Sequence, residues 1–564
     1  MTAPRAATGR PNILWISTHD INPHLSCYAG VHPGAEQART PHLDRLASEG
    51  MRFDRAFAAA PVCGPSRSAI MTGCHPAAIG TMHMRTKAVL PPDVRLFTEY
   101  LREAGYHATN NRFTDFQTSV PASAFDDCSA TAHWRDRPST DTPFFAAFHG
   151  LVTHESQLYG DDDEFAARIP HVAPHERHDP AGVELPPYHP DTPAFRTAWA
   201  RYHDLITEMD HQVGELLAQL DEDGLTDSTI VVFWSDHGLG MPRAKRWLND
   251  SGLHVPLVVR WPGRVPAGSV HTDPVHLMDL APTMLEVCGV DVPASMHGVP
   301  LLTRDGTVVE HPHDYVFAGR DRLIEIEDRS RSARDDRYRY VRHFHPDRSP
   351  MPHCEYTDAL DTWRDLRRLA SAEAAQRAVG EPRSLLTPGQ RVVVAQHKPA
   401  AEELYDLAED PHELHNLASD PAHGGTLARF RAAVEGWLEA CGDLAEQDED
   451  DLAASWRPWG RWEVVEPPAP GAGGALVSAT PGARVVWTVD QPVDGAAAPN
   501  SAVEEAVGMP AQDGRHWLLL CAATPPPEDV PVWLKACRPG FRDSVEIVSG
   551  APAGSAAAPS RGGG

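Results

Sequence analysis

The chain has 564 residues, of which 41% are hydrophobic and 23% charged, as is typical of soluble globular proteins. Its 78 acidic and 50 basic residues give a formal net charge of -28, which argues against nucleic acid or an anionic membrane surface as the main partner. The nine cysteines include no CxxC pair, and we expect reduced thiols rather than a disulfide framework.

The N-terminal stretch gives no targeting signal. No apolar run of signal-peptide length precedes the first predicted strand, and none approaches the roughly 20 apolar residues of a membrane span. We therefore expect a cytoplasmic location, no membrane partner and a disordered tail over residues 1–10.

Four short, continuous apolar runs predict strands that are buried on both faces, at 12–17, 143–148, 229–234 and 255–263. After the first run, Thr40 as N-cap, Pro41 in the first turn and Gly50 as a stop predict a helix. Before the third run, apolar residues from Leu205 to Leu220 repeat at helical spacing. Strands that alternate with helices predict an α/β fold with helices on both faces of a sheet.

The character of the chain changes after about residue 325. Residues 337–344 alternate like a strand of an antiparallel sheet, and 466–475 form a linker rich in Pro, Gly and Ala. Short strand candidates beyond the linker predict a small all-β module at 475–550, which we expect to pack onto the main domain rather than to bind carbohydrate. Residues 551–564 are expected to be a disordered tail.

Acidic and histidine side chains follow two of the predicted strands. His19 and Asp20 come after the first, and Asp236 and His237 come after the third. Either pair alone is more often a solvated turn, but ligands of open α/β sheets bind at the carboxyl ends of the strands. Two carboxylates at that edge predict a hard oxygen site suited to Ca²⁺ or Mg²⁺.

Cys63 lies before a predicted helix that runs from Pro65 to Gly73. A lone cysteine is usually a buried structural thiol. Here, however, free N–H groups and the helix dipole favour negative charge at the helix start. Arg67 lies one turn into the helix and can point back at the same spot. The segment therefore predicts a site primed to hold an anionic group.

The segment Cys63-Gly64-Pro65-Ser66-Arg67 resembles the C-x-P-S-R motif of type I sulfatases, which are members of the alkaline-phosphatase superfamily. "RPNILWISTHD", "TPHLDRLASEGMRFDRAF", "SDHGLG" and "EELYDLAEDPHELHNLASDP" resemble further segments of that family, so the resemblance covers roughly residues 10–445. "AHWRDRP" and "FHGLVTHES" are most similar to bacterial sulfatases that resemble heparan N-sulfatase.

This resemblance implies an alkaline-phosphatase-like mixed sheet flanked by helices. The catalytic α/β domain would occupy residues 11–325 and a smaller α+β subdomain residues 326–465. It also implies that a formylglycine-generating enzyme oxidises Cys63 to formylglycine, whose hydrated aldehyde attacks the sulfur of a sulfate ester or sulfamate. The second hydroxyl of the hydrate then expels sulfate. A small sulfated substrate, a sugar or an aryl compound, is implied as well.

The resemblance assigns roles to several further residues. It implies that Arg67 and Lys245 stabilise charge on the sulfuryl oxygens and that a histidine, His154 or His254, protonates the leaving group. His149 competes with His154 for its position, because the loop length differs from that of the family. The implied metal ligands are His19, Asp20, the modified Cys63, Asp236 and His237. Ca²⁺ is the expected ion, while ligation by both histidines would favour Mn²⁺ or Zn²⁺.

Substrate contacts are expected from His83, Arg112 and Arg246. Two residues depart from the family pattern. Phe113 and Arg112 stand where the family usually has a Gly-Lys pair, and Cys74 stands where an arginine usually follows Thr-Gly. Two alternatives therefore stay open: a phosphonate or phosphate-ester hydrolase of the same superfamily, and a degenerate protein that binds sulfoglycans without catalysis.

Overall fold

A computed structural model describes residues 9–111, 113–379, 384–472, 475–491, 515–527 and 530–549. The candidate Arg112, the predicted tail at 551–564 and most of the tail at 1–10 lie outside the described residues. Within those ranges, no helix combines the length and the apolar character that crossing a membrane requires.

The strands in chain order are β1 (Asn12–Thr18), β2 (Met51–Phe57), β3 (His107–Asn111), β4 (Asp127–Ser129), β5 (Phe144–His149), β6 (Thr229–Ser235), β7 (His254–Arg260), β8 (Ser269–His271), β9 (Val275–His276), β10 (Val316–Arg320), β11 (Ser330–Arg334), β12 (Tyr338–His343), β13 (Glu402–Asp406), β14 (Ala469–Pro470), β15 (Leu476–Val477), β16 (Arg484–Thr488), β17 (Leu518–Leu519), β18 (Val532–Cys537) and β19 (Ile547–Ser549).

The α-helices are α1 (Pro41–Glu49), α2 (Cys63–Thr72), α3 (Pro76–Ile79), α4 (Phe97–Glu103), α5 (Asp162–Arg168), α6 (Pro193–Glu222), α7 (Asp250–Leu253), α8 (Leu280–Val287), α9 (Glu355–Asp358), α10 (Asp361–Ala378), α11 (Pro388–Val393), α12 (Gly424–Cys441) and α13 (Glu449–Trp456).

The main sheet has the order β4-β3-β5-β1-β6-β7-β2-β8, and β9 also pairs with β2. Strand β1 is parallel to both β5 and β6, whereas β7 is antiparallel to its neighbours β6 and β2. The predicted mixed α/β sheet is therefore confirmed, and its four predicted strands are β1, β5, β6 and β7.

Alternate residues of β1 enter the cores on the two faces of the sheet. Leu14 and Ile16 belong to one apolar cluster together with Leu205 of α6, while Ile13 and Trp15 belong to another that includes residues of α4 and α8. Since successive side chains of a strand point to opposite faces, a continuous apolar run is the pattern that such a doubly covered strand requires.

Three further antiparallel sheets follow within the described residues, the smallest of them the β14-β15 pair. Strands β10-β11-β12-β13 pack against α12 through Tyr340 and Phe430, and β17-β16-β18-β19 form a sheet near the C-terminus. The last sheet lies against the main domain: Arg102 donates to the carbonyl of Trp517 at 2.9 Å, and Arg538 donates to that of Leu90 at 2.7 Å.

Candidate active site

The ends of β1 and β6 bring two acidic residues together. Because these strands are parallel and in register, with Thr18 beside Ser235, the residues that follow them leave the sheet at the same edge. The backbone N–H of Asp20 donates to Asp236 Oδ1 at 3.3 Å, although 216 positions separate the two residues. Both carboxylates are fully buried.

Helix α2 places Cys63 beside these carboxylates. The helix begins at Cys63, two residues before the predicted start, and ends at Thr72, followed by Gly73, whose positive φ of 68° suits glycine. The hydroxyl of Ser66 donates to the carbonyl of Asp236 at 2.6 Å and ties the helix to the end of β6. Burial raises the pKa of the Cys63 thiol well above its usual value, so the encoded residue is a neutral thiol at pH 7.

His237 directs one ring nitrogen at Cys63 and Asp20. Its Nδ1 lies 2.9 Å from the carbonyl of Gly238. A carbonyl only accepts hydrogen bonds, so Nδ1 carries the hydrogen and Nε2 keeps its lone pair. That Nε2 lies 3.1 Å from Cys63 Sγ and 3.3 Å from Asp20 Oδ1. This is the orientation in which a histidine binds a metal.

The two oxygens of Asp20 have different surroundings. Oδ2 accepts hydrogen bonds from Lys245 Nζ and from the backbone N–H of Glu155, each at 2.8 Å. Oδ1 is buried and accepts no hydrogen bond from any residue that the structure describes. A buried, unsatisfied carboxylate oxygen is costly, and a cation would satisfy it.

The donor set at this edge fits a divalent cation. Ligand atoms of Asp20, Asp236 and His237 lie within 4.8 Å of one another, and Cys63 belongs to two overlapping sets, one with His19 and Asp236 and one with Asp20 and His154. Carboxylate oxygens suit Ca²⁺, Mg²⁺ and Mn²⁺, and an imidazole moves the preference toward the borderline ions.

His19 lies in this cluster between Arg67 and Asp236. Nε2 lies 2.8 Å from Arg67 Nη2, and since a guanidinium only donates, Nε2 accepts. Nδ1 therefore carries the hydrogen and lies 3.0 Å from Asp236 Oδ2, a contact at ion-pair distance without hydrogen-bond geometry. Burial, with the charge of Arg67, lowers the pKa of His19 to about 4. The residue is placed to orient Asp236 as a neutral ring.

Arg67 lies between the carboxylate and an aromatic ring. Its Nε donates to Asp236 Oδ2 at 3.0 Å, and its guanidinium carbon lies 4.8 Å from the centre of the Phe113 ring. Phe113 also meets His19 edge-on at 4.8 Å. The residue that departs from the family pattern is thus part of the site, where it packs on a cation.

His149 and His154, the two candidates for one role in the site, have different contacts. His154 faces Asp20 and Cys63, and its Nδ1 accepts from the backbone N–H of Ser156 at 3.3 Å, so the neutral ring carries its hydrogen on Nε2. His149 lies behind Arg67, with Nδ1 at 3.3 Å from Nη1. His154 is the one that can offer a proton to a group bound at Cys63.

Three other candidates lie elsewhere or have other partners. His254 contacts the carbonyl of Asp54 at 2.8 Å and lines a separate cavity of about 430 Å³; none of the ligand sets found among the described residues includes it. His254 is the first residue of β7, and its role as proton donor stays a prediction. His83 lies 3.8 Å from Glu449, and Arg246 binds Glu155 with both terminal nitrogens.

Cys74 lies apart from the cluster. Its thiol lies 3.1 Å from the carbonyl of Ser295 and packs with Ile79, Leu90 and Val94. Burial raises its pKa to about 12. Cys74 is a structural thiol in an apolar cluster.

Sequence reasoning passed over two buried acids at this site. Glu155 directly follows His154 and binds Lys245 at 2.9 Å. Asp115 is buried near Arg67 with a positive φ of 51°, and burial raises its pKa. The sequence feature that could have indicated Glu155 is its place in the loop after β5. For Asp115 the only such feature is its closeness to Phe113 in the chain.

Comparisons with known proteins identify the family. The Sulfatase family model matches residues 11–290, and the model for the C-terminal part of N-sulphoglucosamine sulphohydrolase matches residues 238–349. An ulvan-active sulfatase of Formosa agariphila is 35% identical over 481 residues, which are 78% of this chain and 77% of that protein. The N-sulphoglucosamine sulphohydrolase of Homo sapiens is 27% identical over 444 residues, 71% of this chain and 85% of that protein.

Solved structures share the fold. A 2-O GAG sulfatase matches with a TM-score of 0.55 and 19% identity, covering 78% of this chain and 94% of that one. The phosphonate monoester hydrolase of Agrobacterium radiobacter matches with a TM-score of 0.52 and 18% identity, covering 84% and 100%. At these identities the likeness concerns the fold alone.

Proposed function

The chain belongs to the sulfatase family, and on that premise we propose that it removes sulfate from a sulfated carbohydrate through a formylglycine made from Cys63. The observation that carries the proposal is that Cys63, the buried carboxylates of Asp20 and Asp236, His237 and Lys245 lie close together at one edge of the sheet. The names of the relatives, an ulvan-active sulfatase and an N-sulphoglucosamine sulphohydrolase, support a sugar substrate.

The family is known to use a metal ion and formylglycine, and the residues present fit both. Asp20, Asp236 and His237 would hold a divalent cation beside residue 63. When bound, the metal supplies positive charge for the sulfuryl oxygens, and the aldehyde of formylglycine supplies a hydroxyl nucleophile through its hydrate. The Cys63 sulfur occupies the position from which that hydroxyl would act.

The chain's own residues then have separate tasks. Lys245, fully buried and 2.8 Å from Asp20, offers an ammonium hydrogen to a sulfuryl oxygen. Arg67 and His19 fix the orientation of Asp236. The neutral ring of His154 carries its hydrogen on Nε2, and its imidazolium form can give a proton to the leaving oxygen or nitrogen and return to the neutral ring.

Parallel turnover assays test this function. The protein, co-expressed with a formylglycine-generating enzyme, is assayed against sulfated mono- and disaccharides, N-sulfated sugars, phosphate esters and phosphonate monoesters. We expect release of inorganic sulfate at a higher kcat/KM than that of any phosphorus product. Higher turnover of phosphorus esters would instead support the phosphonate hydrolase alternative, and binding of sulfated sugars without turnover would support the non-catalytic one.

A further inference from the structure

We propose that Glu155 is a positioning residue for Lys245, which it holds in place together with Asp20. The inference deepens the proposed function and rests on it. Lys245 Nζ lies 2.8 Å from Asp20 Oδ2 and 2.9 Å from Glu155 Oε1, so the ammonium is held between two carboxylates. All three side chains are buried.

The number of N–H donors on Lys245 explains why a second carboxylate partner matters. An ammonium has three donors and no acceptor. Asp20 and Glu155 take two of them, and the third is the one left for a sulfuryl oxygen. With a single anchor the four-carbon side chain could rotate about its last bonds, whereas two anchors fix the direction of the third hydrogen.

Arg246 holds Glu155 in turn. Its Nη1 and Nη2 donate to Glu155 Oε2 and Oε1 at 3.0 and 2.6 Å, a bidentate pair that fixes the plane of the carboxylate. These two hydrogen bonds use two of the five N–H donors of the guanidinium, so the substrate contact of Arg246 stays a prediction beside this supporting role. Its backbone N–H donates to the carbonyl of Pro61 at 2.7 Å, two residues before Cys63.

The loop after β6 is packed tightly onto Glu155. A Cβ added to Gly240 would lie 2.2 Å from Glu155 Cβ and 3.0 Å from Asp20 Oδ2, so only glycine fits there. The backbone N–H of Glu155 also donates to Asp20 Oδ2 at 2.8 Å. Glu155 therefore touches Asp20 and the loop that carries Lys245 and Arg246 at once.

Glu155→Gln tests the proposal, because it keeps the size of the side chain and removes its charge. We expect kcat to fall by about ten- to a hundredfold, as misplaced catalytic groups do, with a smaller change in KM. The third hydrogen of Lys245 acts on charge that develops in the transition state, which is why kcat responds more than KM.

Glu373→Gln is a matched control. Glu373 is also buried and bound by an arginine, with Arg391 at 2.6 Å, but it lies in α10, and its hydrogen bonds within the described residues go to Arg377, Leu385, Leu386 and Arg391. We expect this variant to lose stability and to keep its kcat. If Glu155→Gln misfolds because Arg246 is left unpaired, the double variant Glu155→Gln/Arg246→Met removes both partners. It should fold and still have the lowered kcat.

A crystal structure of the Glu155→Gln variant shows the position of Lys245 independently of any activity assay. We expect Nζ to leave its place beside Asp20 Oδ2 or to take more than one position. An unchanged Nζ position together with an unchanged kcat overturns the role of Glu155. Failure of the wild-type protein to release sulfate overturns the proposed function instead, and in that case the position of Nζ in the variant still decides whether Glu155 holds Lys245.

Discussion

The sulfur of Cys63 lies 3.1 Å from Nε2 of His237, a residue 174 positions later in the chain. The same nitrogen lies 3.3 Å from Asp20 Oδ1, whose lone pairs have no described hydrogen-bond donor. The start of α2 and the ends of β1 and β6 thus present a sulfur, a nitrogen and carboxylate oxygens to one point. This convergence is the basis for a metal beside the modified residue.

Replacing His237 by asparagine should change which metal the protein prefers. The substitution exchanges an imidazole nitrogen for an amide oxygen, which favours harder ions. A bound ion stabilises the folded state by a free energy that grows with the logarithm of its affinity. We expect the rise in Tm on adding Ca²⁺, relative to that with Mn²⁺, to be larger in His237→Asn than in the wild type. An unchanged ratio would show that His237 is no ligand.

Lys245→Gln should lower kcat/KM by about 10²–10³-fold, the usual cost of losing one donor to a developing negative charge. Lys398→Gln is its control, since Lys398 is likewise buried and lies 2.9 Å from Asp328, away from Cys63. The control should lose stability and keep kcat/KM within about twofold, the scatter expected of substitutions outside the site. Equal losses in the two variants would count against a contact between Lys245 and the substrate.

Phe113→Ala should reduce activity by freeing the guanidinium of Arg67. A cation over a ring contributes about 0.5–2 kcal/mol, so we expect kcat/KM to fall by roughly two- to thirtyfold. Phe113→Tyr keeps the ring and should stay near the wild-type value. A gain of activity in Phe113→Ala would mean that the ring obstructs the substrate rather than orders the site.

Stability should fall as the pH drops below about 6.5. Burial lowers the pKa of His75, His189 and His203 to about 3 each, so in this range the unfolded chain binds more protons than the folded one. One pH unit below 6.5, each of the three costs on the order of 1 kcal/mol of unfolding free energy. Urea unfolding at pH 7.5 and 5.5 measures this loss.

His203 offers a direct check on that pH dependence. Neither ring nitrogen has a hydrogen-bond partner among the described residues, and the ring is fully buried. His203→Leu should therefore reduce the difference in unfolding free energy between pH 7.5 and 5.5. A difference as large as that of the wild type would assign the effect to other groups.

The sequence predicted those parts of the site that depend on strand ends and on the start of one helix. Asp20 and Asp236 could be paired because parallel strands end at a common edge. Cys63 could be placed near a helix start because the residues that begin and end that helix are its neighbours in the sequence. Glu155 was missed since its role depends on Arg246, 91 positions later in the chain. The role of His254 stays a prediction, because the sequence does not give the direction in which the first residue of β7 points.

The most direct test of the central claim is the mass of the peptide that contains residue 63, taken from protein that is actively releasing sulfate. We predict the mass of formylglycine at this position, with activity in proportion to the modified fraction and none in Cys63→Ala. Full activity from protein in which residue 63 is an unmodified cysteine would contradict the claim.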